Sequence, residues 1–266
     1  MYIHDEWGKL KKVILGNSQK YSNYTKSDKQ NKIEKIVLKE IQNILEKHHI
    51  KVIQPKYIND LDIEQSLWVR DSSIVIDDQL ILLPLQNNIE KRKLEYKTIP
   101  FTKNIIIPPK KEIKLEGGDI IQLNNIIFIG IHQRTNIFGY NWIKELYSNK
   151  TIIKINHKAL HLDCCFSILP NKVILYSKKY INELPKFVST YFYCINIDSF
   201  IKGETNLATN FLFLDNNTIL IDNRFKQIHK LLQSFGYNII IVNLQNIWKY
   251  GGSIRCLTQP LIRVYK

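Results

Sequence analysis

Apolar positions follow two rhythms along this chain. Between Asp28 and Lys47, Ile33, Ile36, Val37, Ile41, Ile44 and Leu45 recur every three or four residues. That period predicts an amphipathic helix whose apolar stripe covers a sheet or another helix. Elsewhere short apolar runs are bounded by Gly, Pro, Asn and Asp, the signature of strands joined by turns. Lys11–Gly16 reads as a first strand, and Val52-Ile53 as a second, stopped at Pro55. Ile74–Ile76 and Gln79–Leu83 form a hairpin over Asp77-Asp78. A polar linker at about 86–97 then leads to a strand at Ile105–Ile107. Ile120–Leu123 and Ile126–Ile129 pair across Asn124-Asn125, followed by a helix at Ile137–Leu146 and a strand at Thr151–Ile155. Cys164–Leu169 and Lys172–Tyr176 flank Pro170-Asn171, and Tyr191–Ile197 follows as a strand or short apolar element. Phe211–Leu214 and Thr218–Ile221 form the next hairpin. A helix at Phe225–Phe235, a strand at Ile239–Val242 and an exit through Leu261–Val264 complete the chain.

One unit therefore recurs about five times: a polar or glycine-marked loop, a hairpin, often a helix, then a strand. A single unit cannot bury its own apolar face, so the units are expected to pack around one centre. With the units arranged radially, Asp71, Glu116, His161, Asp163 and Cys256 converge, because each stands at or near a hairpin entrance. The rival architecture is an open α/β sheet. No GxGxxG or GxxxxGK[ST] marks a dinucleotide or phosphate site in the chain. The expectation is one domain over residues 1–266.

Composition narrows the class. With 44% hydrophobic residues in 266, the core can be substantial. Four cysteines, two of them adjacent, do not make a disulfide framework; free thiols in a cytoplasmic protein are expected. Met1–Trp7 does not read as a signal peptide, and no apolar stretch is long enough to span a bilayer, so no membrane partner is expected. The formal net charge is +14, yet the lysines are dispersed among Ile and Asn, with no basic tail. A dispersed excess is not a nucleic-acid footprint, and no nucleic-acid partner is expected.

The chemistry gathers around the two glycine pairs. Cys256 follows Arg255 in the loop opened by Gly251-Gly252. A thiol attacks carbon as a thiolate, and a nearby cation favours that form. His161 offers a proton, and Asp163 two residues on would share its face in a strand. Glu116 and Asp119 flank Gly117-Gly118, and Asp71 follows Arg70. Each has a plainer reading: Glu116 and Asp119 as turn residues, Asp71 as the partner of Arg70, Arg134 as a solvated cation, and Trp68 as packing. Together the carboxylates suit a planar cation, and guanidinium matches their geometry. A bound guanidinium would also lower the pKa of the thiol that carboxylates raise. His161, Asp163 and Asp71 could instead form an oxygen-rich metal site, but no HExxH, CxxC or EF-hand pattern is present. No metal and no cofactor are expected.

Several segments, in order, resemble the guanidino-group-modifying enzymes of the pentein superfamily. They are Asp5–Gly16, Trp68-Val69-Arg70-Asp71, Glu116-Gly117-Gly118-Asp119, Gly130–Asn136 with Arg134-Thr135-Asn136, His161-Leu162-Asp163, and Gly251–Leu261. The resemblance implies an α/β fold, a five-bladed propeller of ββαβ units. It implies Cys256 as nucleophile, His161 as acid and base, and Glu116 as support for the histidine. Asp71 and Asp163 would clamp the guanidinium, with Asp119, Arg134, Trp68 and Arg255 as further substrate-binding residues. The implied activity is a cysteine-dependent amidinohydrolase of deiminase or dimethylaminohydrolase type, working through a thiouronium on Cys256. Glu116 resembles the hydrolases, since family amidinotransferases usually carry aspartate there. The opening segment resembles amidinotransferases, which keeps amidino transfer to an amine as an alternative, alongside a non-catalytic binding protein. The partner expected is a small guanidino compound, with peptide-bound arginine as an alternative; a homodimer is left open.

Overall fold

The computed structural model describes residues 2–17, 28–55, 67–83, 105–110, 112–248 and 251–265. The expected linker at 86–97 and Tyr250 lie outside them. The described residues form five three-stranded sheets. One joins the two ends of the chain: β1 (Lys9–Leu15) pairs antiparallel with β15 (Thr258–Val264) and parallel with β2 (Lys51–Ile53). The others are β3 (Ser73–Ile76), β4 (Gln79–Leu82) and β5 (Ile105–Ile106); β6 (Ile120–Leu123), β7 (Ile126–Ile131) and β8 (Thr151–Asn156); β9 (Phe166–Leu169), β10 (Val173–Tyr176) and β11 (Tyr193–Asn196); and β12 (Leu212–Phe213), β13 (Thr218–Asp222) and β14 (Asn238–Val242). In each, an antiparallel pair meets a third strand that runs parallel to the middle one.

Parallel neighbours need a crossover, and helices supply it where the connection is described. α1 (Asp28–Lys47) joins β1 to β2, and α2 (Ile137–Leu146) joins β7 to β8. α3 (Lys186–Tyr191) joins β10 to β11, and α4 (Lys226–Ser234) joins β13 to β14. α2 starts at an N-cap that the sequence announces: Asn136 Oδ1 accepts from Gly139 N at 3.0 Å. α3 lies in a stretch that reads as loop and strand. It has only six residues, too few for a helical period to declare itself.

The expected five-bladed propeller is corrected by this architecture. Among the described residues the fold is mixed α/β with five separate three-stranded sheets and four helices. The sheets are neither curled nor closed. The physical reason is that strand hydrogen bonding stops at three strands in each sheet. With strands of two to seven residues there is little edge along which to curl.

The largest apolar core runs from Leu10 and Leu15 through Phe128, Phe166 and Ile174 to Leu220 and Leu257. A second gathers Ile74, Ile81, Ile120 and Trp142, and a third Ile14, Val75 and Leu261. Strands such as β3 are buried on both faces, so they read as continuous apolar runs rather than alternations. No helix among the described residues is long and apolar enough to cross a membrane.

Candidate active site

The loops that enter the sheets carry the polar chemistry. Asp71 lies two residues before β3, and Glu116 four before β6. His161 and Asp163 lie just before β9, and Cys256 two before β15. The strand expected at Cys164–Leu169 begins later, at Phe166. Leu162–Cys164 is a short 3-10 turn with extended His161 at its head, so His161 and Asp163 are set by a turn, not by strand alternation. Cys164 and Cys165 are consequently both buried.

His161 lies between two carboxylates. Its Nε2 is 2.6 Å from Glu116 Oε2 and its Nδ1 3.8 Å from Asp71 Oδ1. Asp71 Oδ1 also accepts from Gly118 N at 3.2 Å. All three side chains are largely buried. Burial alone would lower the pKa of His161. The charges of Asp71, Asp119 and Glu116 and the hydrogen bond to Glu116 outweigh it and hold the imidazole up to about 10. His161 is therefore a buried cation at neutral pH.

The glycine pair makes this packing possible. A Cβ on Gly118 would stand 2.8 Å from His161 Cγ, and one on Gly117 would run into the Arg70 carbonyl. Only glycines let the acidic loop lie against both. Glu116 Oε1 stands 3.5 Å from Arg134 Nη1. It is buried and accepts no hydrogen bond among the described residues. An acceptor left open beside a cationic histidine suits the N–H of a bound cation. Arg134 itself is about one third exposed, at 34%.

Asp163 faces a different partner. Its Oδ2 accepts from Arg255 Nη1 at 2.7 Å. Arg255 Nη2 reaches Glu6 Oε1 at 3.2 Å and the Ile120 carbonyl at 3.0 Å. The sequence reading assigned Arg255 to substrate; here its guanidinium is buried and bonded to Asp163, Glu6 and the Ile120 carbonyl. Burial acts to lower its pKa, but Glu6 and Asp163 raise it above its ordinary value. Arg70 lies beside it, donating from Nε to the Arg255 carbonyl at 3.3 Å. Burial and the Arg255 charge pull Arg70 down to about 9. Burial pushes Glu6 up, while Arg255, Arg70 and Arg263 more than offset it and leave the carboxyl lowered. Sequence reasoning missed Glu6 as a member of this network, since nothing local ties it to a residue 249 positions away.

Asp119 is likewise enclosed. Thr135 Oγ1 donates to its Oδ2 at 2.6 Å, and Leu162 N to its Oδ1 at 2.7 Å, with His157 Nε2 at 3.1 Å from the same oxygen. It thereby ties the Glu-Gly-Gly-Asp loop, the Arg-Thr-Asn segment and the His161 turn into one body.

The Cys256 thiol is buried. Burial raises its pKa well above the ordinary thiol range, and the charges of Asp163 and Asp71 add to it. Asn210 Nδ2 donates to its Sγ at 3.2 Å, another contact that the sequence reading missed. Trp68 packs on Gly252 so closely that a Cβ there would strike its ring. Asp222 anchors the same loop, accepting from Trp248 Nε1 at 2.9 Å and Ser253 Oγ at 3.3 Å.

Two triads bring possible metal ligands within 4.8 Å of one another: Asp71, Glu116 and His161; and His161, Asp163 and Cys164. In both, His161 is the shared member, and its Nε2 already meets a carboxylate.

The arginine deiminase family model matches residues 8–193. The uncharacterized protein YkgA of Bacillus subtilis is 28% identical over 223 residues, covering 82% of this chain and 77% of that protein. Among solved structures, SxtG, an amidinotransferase from Microseira wollei in the saxitoxin biosynthetic pathway, is 18% identical with a TM-score of 0.82. That match covers 100% of this chain and 98% of the other. An inosamine-phosphate amidinotransferase from Streptomyces griseus is 15% identical with a TM-score of 0.80, covering 100% and 97%. At these identities the structural likeness is one of fold.

Proposed function

The chain belongs to the arginine deiminase family of guanidino-group-modifying enzymes, and from that premise we propose that it transfers an amidino group from a guanidino donor to an amine. The observation that carries the guanidino chemistry is the buried Asp71–His161–Glu116 cluster with its open acceptor, Glu116 Oε1. Transfer is supported by the full-length fold likeness to two amidinotransferases. It is also supported by the burial of Cys256, His161 and Glu116, which keeps bulk water from a covalent intermediate.

The resting site starts with a neutral thiol and a protonated His161. A guanidinium bound among the carboxylates adds positive charge beside the sulfur and lowers the thiol pKa, and the thiol proton leaves to solvent. The Cys256 thiolate attacks the central guanidinium carbon, forming a C–S bond. His161 gives its proton to the departing nitrogen as the C–N bond breaks, and Cys256 holds a thiouronium. An amine then attacks the same carbon and gives a proton to the now neutral His161. The C–S bond breaks and the thiolate returns. Asp71 and Glu116 keep the imidazole in place through both halves.

Hydrolysis is the second reading. Its support is Glu116, hydrogen-bonded to His161 where amidinotransferases usually carry aspartate, and the arginine deiminase family match. Water would take the place of the amine in the second half.

The test offers the protein a panel of guanidines, with and without primary amines, and follows ureido product and transferred amidine by mass spectrometry. Transfer predicts amidine on the amine and little ureido product. Ureido product that amines do not suppress would favour hydrolysis. Cys256→Ala is expected to abolish both, and turnover surviving in that variant would end the proposal.

A further inference from the structure

We propose that Asn210 is a further catalytic residue: its amide N–H group holds the Cys256 sulfur in its reactive, anionic form. The inference rests on the reading of Cys256 as nucleophile. Asn210 Nδ2 lies 3.2 Å from Cys256 Sγ. The same side chain's Oδ1 accepts from Arg255 N at 3.0 Å and from Cys256 N at 3.4 Å. Those contacts decide the orientation of the amide. Backbone N–H groups only donate, so the carbonyl oxygen must face them and the NH₂ must face the sulfur. A donor aimed at sulfur stabilises a thiolate more than a thiol, because the full charge sits on the acceptor.

The surroundings make such a donor necessary. Asp163 and Asp71 place negative charge near the thiol, Cys164 is close enough to add to it when ionised, and the site is buried. All of these oppose thiolate formation. Asn210 and the backbone of Ser253 act in the other direction.

Asn210 is also held as a site residue would be. It is 1% exposed, in the segment ahead of β12. Leu207 N donates to the Cys164 carbonyl at 2.7 Å, and Thr209 Oγ1 to the Asp163 carbonyl at 3.0 Å. Asn210 N closes a turn onto the Leu207 carbonyl at 3.0 Å. The segment is thus fastened to the His161–Cys164 turn on one side and to the Cys256 loop on the other.

The repeated architecture points to the same residue. Asp71, Glu116, and the pair His161 and Asp163 each precede the first strand of a hairpin, β3, β6 and β9, and Cys256 precedes β15, the outer antiparallel strand of the sheet that joins the chain ends. The remaining hairpin starts at β12, and the polar residue two positions before it is Asn210. It is that sheet's contribution to the site.

The experiment compares the wild-type chain with Asn210→Asp and Asn210→Ala. Alkylation of Cys256 by iodoacetamide is followed from pH 6 to 9 without substrate, on the peptide that carries it, by mass spectrometry. Below the thiol's midpoint, the rate rises tenfold per pH unit. A raised midpoint therefore appears as a parallel line displaced downward. Asn210→Asp keeps the acceptor for both backbone N–H groups but loses the donor, and it is expected to react about 10–100-fold more slowly than wild type across the range. Asn210→Ala is expected to fall by about 10-fold. A carboxylate at position 210 also repels a thiolate, so the neutral variant decides: folded Asn210→Ala that alkylates as fast as wild type would overturn the proposal. Circular dichroism checks folding, and Asn210→Leu, neutral and close to asparagine in size, takes the place of Asn210→Ala if that variant does not fold. Alkylation needs no turnover. Activity surviving in Cys256→Ala would thus sink the nucleophile assignment without touching this comparison.

Discussion

Two buried carboxylate clusters lie side by side in this molecule and end up with opposite capacities. In one, Asp163 and Glu6 share the guanidinium of Arg255, with Arg70 and Arg263 adding positive charge nearby. The chain supplies its own cation, and the cluster is closed. In the other, Glu116 and Asp71 face His161, and Glu116 Oε1 stays without a hydrogen-bond donor. The imidazolium of His161 lies between the two carboxylates, the partly exposed Arg134 stands 3.5 Å from Glu116 Oε1, and that oxygen keeps room to accept a hydrogen bond from a bound cation. Residue type is the same in both; what differs is whether pairing is complete. Complete pairing makes a cluster structural, and incomplete pairing makes it receptive.

Removing Arg255 gives the largest effect expected from this contrast. Arg255→Met leaves Asp163 and Glu6 buried without their cation, at a cost of about 3–5 kcal/mol. Urea unfolding should register it, and a stability close to wild type would show that the network is not closed as described. Glu116→Gln should do the reverse. The amide fits the same space and can still bond His161, so the fold is kept and the stability lost is only the share of the His161 pKa shift that the Glu116 charge supplies, while turnover falls by about 10²–10⁴-fold.

That substitution also changes the dependence of stability on pH. The wild-type His161 pKa is raised from 6.5 to about 10. Its contribution to stability is therefore fully present below pH 6.5 and is lost as pH rises through about 10. Without the Glu116 charge the folded pKa falls, and the loss completes at lower pH. Melting temperatures of both proteins between pH 6 and 10 measure it, and superimposable profiles would contradict the assigned role of Glu116. The smallest effect belongs to Arg134→Ala. Partly exposed and 3.5 Å from Glu116, Arg134 contributes within about 0.5 kcal/mol to stability. If it contacts substrate, KM rises with little change in kcat; an unchanged KM would leave it as a surface cation.

Some of this site could be read directly along the chain, because its parts are local. The hairpin signals around Asp77-Asp78, Asn124-Asn125 and Asp215-Asn216-Asn217 correspond to the β3–β4, β6–β7 and β12–β13 turns. The periodicity of α1 and α2 matched their observed ends. The acidic motif stood out by its glycine pair, whose need is steric and leaves a mark in sequence. By contrast, Cys164 and Cys165 read as the start of the strand that begins at Phe166, because apolar residues in a tight buried turn have no period of their own. The three-stranded limit of each sheet likewise has no sequence mark, and the propeller expectation failed there.

By itself, then, the sequence located most of the strands and two of the helices, α1 and α2, and which polar residues stand ahead of the strands, since propensity, period and turn chemistry act over a few neighbours. Tertiary structure alone decided which of those residues meet. Arg255 could face substrate or core, and only its approach to Asp163, 92 residues away, turned it inward. Asn210 carries no motif, and only the approach of its loop to the Cys256 backbone aims its amide at sulfur. Burial and charged neighbours then set the charge states: the carboxylates around His161 raise its imidazole against the effect of burial, and burial raises the thiol of Cys256, because desolvation and pairing depend on neighbours that the chain brings together only when it folds.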